Sequence, residues 1–490
     1  MGKTYNLEIP LNRVEGDLEL KVQIEDNRIN DAWISGVMFR DFENILKGRA
    51  ALDGIVITPR ICGICSTGHL YAANKAIEMI LDIEIPDNAV RLRNLALMVE
   101  MIQGDMRHGF LYFFPQFVNI TYSHIPMFSE AVRRYAPLKG EIYIETIKET
   151  KKLLEIMGII GGQWPHTSFM IPGGVSAIPN ESDLVQCVYL LKHFKFWYEK
   201  RILGCHVERF LEVKNASDLD IWLNENELHQ KSDLGFYIRY AKEIGLDSIG
   251  KGHCNFISFG GFDHNIIHSG FSFEGDIEEF NHEKISESLA YSWFKDNNRD
   301  EHPFQGETRA YATGKESKKY SWAKAPRYKG IPAETGPLSE KIISGNPLFY
   351  DLIKHKGPNV FIRELSRLVR VAETIPIMEK YLHEISHSEP FYLSPKNIVD
   401  GEGFGLINVA RGALGHWVKI KQGKISNYQI ITPTSWNASP RDSAGIRGPM
   451  EEALIGTQID NISNLVNIEH VIRSFDPCLV CTVHSLKIRN

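Results

Sequence analysis

Four cysteines in two identically spaced pairs, Arg60-Ile-Cys62-Gly-Ile-Cys65 and Asp476-Pro-Cys478-Leu-Val-Cys481, are the residues of this chain best suited to chemistry. A Cys-x-x-Cys pair presents two close sulfurs, which suits one metal held by both or a reversible disulfide. Two such pairs predict a tetrathiolate site. On spacing alone a structural zinc ribbon is the plain alternative. Zinc staples, however, close over tens of residues, whereas more than four hundred separate these pairs, in a chain large enough to bury its own core. The pattern therefore favours a reactive metal site built where the N-terminal and C-terminal segments meet. The other cysteines, Cys187, Cys205 and Cys254, bring the total to seven and share no spacing. They read as buried thiols, not as a disulfide framework.

Other residues could serve such a site. Pro59 biases Thr58 away from helix and Gly63 lets the backbone between the first two thiols turn tightly. His69 follows seven positions after Cys62, close enough to orient a thiolate from the second layer. Arg13, Glu15 and Gly16 sit at a strand entrance, where a solvated turn is the simplest reading.

The elements that must position these residues are legible in outline. Leu18 to Ile24 alternates apolar and charged residues, Asp26-Asn27 turns, and Ile29 to Val37 resumes, which predicts a β-hairpin. A helix is expected from Asp87, with Asp87 or Asn88 as cap, ending in the aromatic run Phe110 to Phe114. Helices of bundle length are expected over roughly 139–160, 182–212 and 359–387. Residues 215–345 read as a peripheral insertion, mostly irregular or β, packed on those helices. Gly401 to Gly405, Val409 to Ile420 and Tyr428 to Ile431 read as a second β region, and a last helix near 464–473 delivers Asp476-Pro-Cys478. The fold class expected is α+β, mainly α, with a long-helix core and peripheral hairpins or small sheets.

Composition excludes some functions. The 490 residues are 43% hydrophobic and 24% charged, as in ordinary globular proteins. A net charge of −6 with no basic run leaves no footprint for nucleic acid. No signal-type apolar stretch opens the chain and no apolar run is long enough to span a bilayer, so neither self-export nor a transmembrane segment is expected.

Seven blocks in order resemble the large, catalytic subunit of nickel-iron hydrogenases. They are Arg13-x-Glu15-Gly16, Arg60 to His69 around the first pair, Pro165-His166, Pro172 to Val175, Arg411-Gly-Ala-Leu-Gly-His-Trp417, the Pro433 to Asp442 loop, and Asp476 to His484 around the second pair. The resemblance implies one interwoven domain over residues 1–490. It makes Cys62 and Cys478 terminal nickel ligands, with Cys65 and Cys481 bridging to a low-spin iron that carries carbonyl and cyanide. It gives Glu15 an outward proton-transfer role and sets Arg411 over the open metal position, held by Asp476. His69 would donate to a bridging sulfur, while Thr434 and amides near Pro433 would bind a cyanide, with Ala410 preceding the active-site Arg. Glu43 and His484 would bind magnesium. The reaction implied is reversible heterolytic cleavage of H2, most simply in the uptake direction, with electrons leaving through an iron-sulfur small subunit because no further cysteines remain to hold a cluster. A dimer of such heterodimers or larger assembly is expected. The motifs resemble the cytoplasmic uptake and sensory group, leaving open a hydrogen sensor that signals through a kinase, and export carried by the partner. The homologous quinone-site subunit of respiratory complex I lacks the thiolates that are present here.

The chain also departs from that pattern. Asp17 stands where His is usual, Asp41 where Gly is common, and Ala410 where Pro usually precedes the active-site Arg. Arg107-His108 replaces a small or acidic residue before His, leaving Asp105 as a candidate acidic partner of Arg411. Ile64, Phe110 and Tyr112 are bulky and predict a narrowed gas route. Only six residues, 485–490, follow His484, a short tail that reads either as an unprocessed member or as a chain before processing.

Overall fold

Alternation along Leu18–Glu25 turns Leu18, Leu20, Val22 and Ile24 into the interior and leaves the charged residues outside. The computed structural model in which this is seen describes residues 5–478, apart from 12, 15, 263–265, 297, 315–316, 399, 460 and 463. The expected hairpin is present, and its Asp26 and Asn27 take φ of 50° and 60°, as a two-residue type I′ turn requires. A further strand, Tyr5–Leu11, pairs antiparallel with Leu18–Glu25, so the hairpin with Arg28–Gly36 becomes a three-stranded meander.

The helical core follows the sequence closely. Asp87–Arg107 is buried on nearly every side, from Ala89 and Leu92 to Asp105 and Met106, as expected of a helix at the centre of a large core. Its cap is Pro86, not Asp87 or Asn88. Asp87 instead places its carboxylate in the first turn, where the helix dipole favours it, and Asn88 donates to Ser386 O (2.7 Å) and Glu389 O (3.1 Å). The helix then passes into a π-helical turn, His108–Phe113, which re-aims the side chains at its end. Val360–Glu384, 25 residues long, runs through the core. The stretch expected at 139–160 divides into Glu141–Leu153 and Glu155–Gly161, and Glu181–Trp197 ends in a second π-helical turn, Tyr198–Leu203.

Residues 215–345 correct the sequence reading. Ala216–Glu225, Glu227–Lys231 and Asp233–Glu243 are helices, each started by a side-chain cap from Asn215, Asn226 or Ser232. Short strands follow, Phe256–Gly261 with Ile267–Phe273 and Asp276–Glu278, and Ile285–Ser288 with Ala325–Tyr328. Nor is the segment wholly peripheral. Arg327 is buried against Asp442 (2.7 Å), Thr335 N donates to Asn437 Oδ1 (3.0 Å), and every residue of the helix Pro337–Ile343 is buried.

The C-terminal β region is a meander of Gly401–Val409, Gly412–Lys421 and Lys424–Ile431. It lies against the helix Ser66–Leu81 that follows the first cysteine pair. Two glycines permit that approach: a Cβ on Gly403 would lie 2.1 Å from Ala76 O, and one on Gly405 1.8 Å from Ala72 O. Val409 pairs with Gly412, so Ala410 and Arg411 form the two-residue tip joining the first two strands. One hydrophobic cluster runs from Leu11 to Cys478 and links sheet, helices and cysteine segments.

Candidate metal centre

Pro59 lies in a 3-10 turn, Thr58–Ile61, after which Cys62 is extended and Cys65 occupies the N-cap position of Ser66–Leu81. A cysteine at a helix N-terminus faces the positive end of the helix dipole, which favours thiolate. Cys478 arrives from the far end of the chain, its backbone N–H donating to Thr434 Oγ1 at 2.9 Å. The sulfurs of Cys62, Cys65 and Cys478 lie within 4.8 Å of one another, those of Cys62 and Cys478 at 3.6 Å, and all three residues are buried. Sulfurs converging in an apolar interior are the arrangement a soft metal stabilises.

The first pair is held from two sides by residues the sequence reading does not single out. Glu100 accepts from Thr67 N (2.9 Å), Gly68 N (3.1 Å) and Trp164 Nε1 (3.2 Å), satisfying the helix start just after Cys65. His166 N donates to Ser66 Oγ (3.1 Å), and its Nδ1 lies 3.0 Å from Pro59 O. Burial pushes the Glu100 carboxyl up to about 7, against the pull of those donors. A proton held in the folded state and lost below that pH from the unfolded one, near 4.5, gives a stabilisation complete below pH 4.5 and lost as pH rises through 7. Glu100→Gln, whose amide cannot accept from both sides, is expected to cost about 1–3 kcal/mol. The stability difference between native chain and variant should shrink from pH 4.5 to 7, which thermal unfolding across that range measures.

Arg411 is buried at its hairpin tip. Its Nε donates to Asp476 O and its Nη2 pairs with Asp476 Oδ1, both at 3.1 Å. Its Nη1 has no hydrogen-bond partner among the described residues. Burial disfavours the charge, but Asp476 first and then Cys478, Cys65 and Cys62 more than offset this and keep the guanidinium protonated well above its ordinary range. Asp476 is likewise held well below the usual carboxylate range: burial opposes this, and Arg411 followed by His108 outweigh it. Ala410, preceding Arg411, is buried, and its carbonyl accepts from Arg370 Nη2 at 2.5 Å.

Asp105 is not the partner of Arg411. It pairs with Arg370 (2.6 Å) and lies 3.4 Å from Arg367, leaving Asp476 as the carboxylate that fixes Arg411. The departure at His108 has a structural consequence, since the π-helical turn sets its ring between Asp476 Oδ1 (2.9 Å) and Glu364 Oε1 (2.8 Å). Burial lowers the affinity of that ring for a second proton, but Asp476 and Glu364 more than restore it and raise the His108 pKa. His108 thus braces the far side of the carboxylate that holds Arg411.

His69 lies one turn along the helix from Cys65. With Cys65, Arg411, Pro433, Thr434 and Cys478 it borders a small cavity whose other walls are Val409 and Leu414. Pro433 and Thr434 open the short helix Pro433–Asn437, capped by Thr432. The Thr434 hydroxyl accepts from Cys478 N, and that contact leaves its own proton to be donated. Aliphatic walls with hydroxyl and guanidinium donors at the rim fit an iron bearing small diatomic ligands. Ile64 and Tyr112 border a second small cavity with Arg411, whereas Phe110 packs against Phe114 (5.0 Å between centroids).

Glu43, expected at magnesium, is buried at the start of Phe42–Leu46. It accepts from Ile430 N (2.9 Å) and from Thr308 Oγ1, and pairs with the largely but not fully buried Lys324 (3.1 Å). Lys324 also reaches Gln429 Oε1 (2.6 Å) and approaches Glu287 (3.6 Å). Burial pushes Glu287 up to about 7 despite Lys324, with Glu43 adding to the rise. A second carboxylate beside one ammonium leaves negative charge that a hard cation on these oxygens would relieve. Glu15, Cys481, His484 and the tail 485–490 lie outside the described residues.

The chain matches the family described as nickel-dependent hydrogenase over residues 40–124 and 138–484. It is 31% identical to the periplasmic [NiFeSe] hydrogenase large subunit of Desulfomicrobium baculatum, over 97% of this chain and 94% of that one. Identity is 27% to an uptake hydrogenase large subunit of Afipia carboxidovorans, with the same coverages. Among solved structures, the Ni-Fe-Se hydrogenase of D. vulgaris Hildenborough in the reduced state superposes with a TM-score of 0.82 at 28% identity, covering 99% of this chain and 100% of that one. The H2-activated Dm. baculatum [NiFeSe]-hydrogenase gives a TM-score of 0.84 at 28% identity, over 98% and 100% of the chains.

Proposed function

The chain belongs to the nickel-dependent hydrogenase family, and from that premise we propose that it oxidises H2 in the uptake direction and passes the electrons to an iron-sulfur small subunit. It is a hydrogenase large subunit, an oxidoreductase acting on H2, with a nickel-iron centre. The observation that carries the reading is the convergence of the Cys62, Cys65 and Cys478 sulfurs beside buried Arg411.

In this reading Cys62 and Cys478 would be ligands of nickel alone, and Cys65 with Cys481 would be shared with an iron that carries carbonyl and cyanide. When bound, the centre supplies the redox change and the open position at which H2 is split. The protein's own residues do the rest. Arg411, fixed by Asp476, presents a permanent cation to the developing charge. Thr434, with amides beside Pro433 and the close-packed Ala410, supplies donors and walls for the iron ligands. A cysteine sulfur takes the proton and Glu15 carries it outward, while His69 steadies a bridging sulfur. Glu43 and His484 would hold magnesium.

An external acceptor is needed because, among the described residues, no second group of cysteines converges: Cys187 lies in Glu181–Trp197, and Cys205 and Cys254 lie in separate connecting segments. No helix among those residues is long and apolar enough to cross a membrane. In the same reading the chain forms a single interwoven large-subunit domain, assembles with its partner as a dimer of heterodimers or larger, and works in the cytoplasm. Purification of the chain with its partner should yield hydrogen-dependent dye reduction and one nickel per chain. Zinc in place of nickel, or a nickel-loaded complex that reduces no dye under hydrogen, would overturn the reading.

A further inference from the structure

The cavity side of the cysteine cluster has a histidine whose outer contacts run in an unbroken buried line. His69 Nδ1 lies 3.0 Å from His416 Nε2, and His416 Nδ1 lies 2.9 Å from the Tyr428 hydroxyl. All three side chains are buried. His416 stands on Gly412–Lys421 and Tyr428 on Lys424–Ile431, neighbouring strands whose turn at Gln422-Gly423 pairs Lys421 with Lys424. Continued without interruption, that register would set Tyr428 opposite Trp417, on the other face from His416. The register slips between Lys419 and Ile420, leaving Ser426 without a pairing partner, so that Tyr428 pairs with Val418 and shares a face with His416. The bulge creates the contact.

We infer that Tyr428 and His416 are positioning residues that fix the tautomer of His69 so that its Nε2 carries the proton and offers it to the sulfur side of the cavity. This rests on the nickel-iron reading given above. The direction follows from counting donors and acceptors. His416 Nδ1 is the acceptor within reach of the buried Tyr428 hydroxyl, so the hydroxyl donates and that nitrogen carries no proton. The His416 proton is then on Nε2 and donates to His69 Nδ1, which must be bare. The proton of His69 is left on Nε2, the ring nitrogen not engaged by His416, on a residue that borders the cavity with Cys65 and Cys478. The opposite arrangement strands the tyrosine proton in an apolar interior and turns a bare nitrogen lone pair toward electron-rich sulfur. Burial supports the assignment by keeping both rings neutral, lowering His69 to about 4 and His416, with His69 nearby, well below its ordinary value. The chain of three thus acts as a one-way relay of orientation, set by a phenol two residues beyond a strand irregularity.

A donor on a thiolate withdraws electron density from the metals it bridges. Tyr428→Phe in the native complex releases His416 to either tautomer, and the carbonyl and cyanide infrared bands should shift to lower wavenumber while the thermal midpoint stays close to native. His416→Gln, whose amide can still donate to His69, should return the bands toward their native positions. Native bands in Tyr428→Phe would overturn the inference, whereas the absence of such bands in the native complex would instead overturn the nickel-iron reading. Should Tyr428→Phe fail to load metal, neutron diffraction from crystals of the native complex decides directly. A proton on Nε2 of both His69 and His416 supports the relay, and a proton on Nδ1 of His69 refutes it.

Discussion

Arg411→Lys is expected to lower hydrogen turnover by about 100-fold or more while leaving nickel content unchanged, since removing one preorganised donor from a buried site typically costs that much. The way the guanidinium is held makes it irreplaceable. It sits at a two-residue hairpin tip, buried, with Nε and Nη2 each 3.1 Å from Asp476 and Nη1 left without a partner among the described residues. A fork with fixed spacing can grip Asp476 at two points and still point a third group at the substrate position. A lysine ammonium is a single strongly hydrated point that cannot do both, and its charge is more easily lost on burial. Dye reduction under hydrogen, with metal analysis of the same sample, checks this, and a lysine variant that turns over like the native protein would remove Arg411 from the reaction.

Cys478→Ser should abolish both activity and nickel retention. Four-ligand structural zinc sites bind their metal with apparent energies of about 10–16 kcal/mol, so by analogy one ligand in four accounts for roughly 3 kcal/mol, more than a hundredfold in affinity. A hydroxyl is also a hard, weakly acidic donor that suits nickel poorly. The substitution isolates the ligand because the fold has little else at stake there: Cys478 N keeps its bond to Thr434 Oγ1, and serine is no larger than the residue it replaces. An unchanged unfolding midpoint of the metal-free chains, together with lost nickel, is the expected pair of results. Nickel retained at native stoichiometry would mean that the Cys478 sulfur, 3.6 Å from that of Cys62, is not a ligand.

Both residues are legible in the sequence because they lie in compact motifs, a repeated Cys-x-x-Cys and an Arg-Gly turn. The groups that hold them are not. Glu100 reads as one acid within the apolar run 95–102, and only the packing of Asp87–Arg107 on Ser66–Leu81 turns it into the acceptor for Thr67 and Gly68. His108 reads as a loss at a family position, whereas its bond to Glu364, 256 residues away, makes it a brace. Arg363, Arg367 and Arg370 recur at helical spacing in a hydrophobic helix, a signal of buried ion pairs that the sequence does contain. Tyr428 is the clearest case of what pattern cannot supply, since regular alternation places it on the wrong face and only the bulge at Ser426 corrects it. The helices between Ala216 and Glu243 escape the sequence reading for the opposite reason. Their caps Asn215 and Ser232 are plain, but Ala216–Glu225 and Glu227–Lys231 are only 10 and 5 residues long, and the apolar run Phe236-Tyr237-Ile238 in Asp233–Glu243 fits a short strand as well as a helix.

The central claim is that these cysteines hold a nickel-iron pair, and infrared absorption of the purified complex between the water and amide bands tests it most directly. Carbonyl and cyanide ligands on iron absorb there and protein groups do not. The account predicts carbonyl and cyanide bands that move when the sample is exchanged between hydrogen and argon, and that vanish in Cys478→Ser. A nickel-loaded, hydrogen-oxidising complex with no band in that window would contradict it.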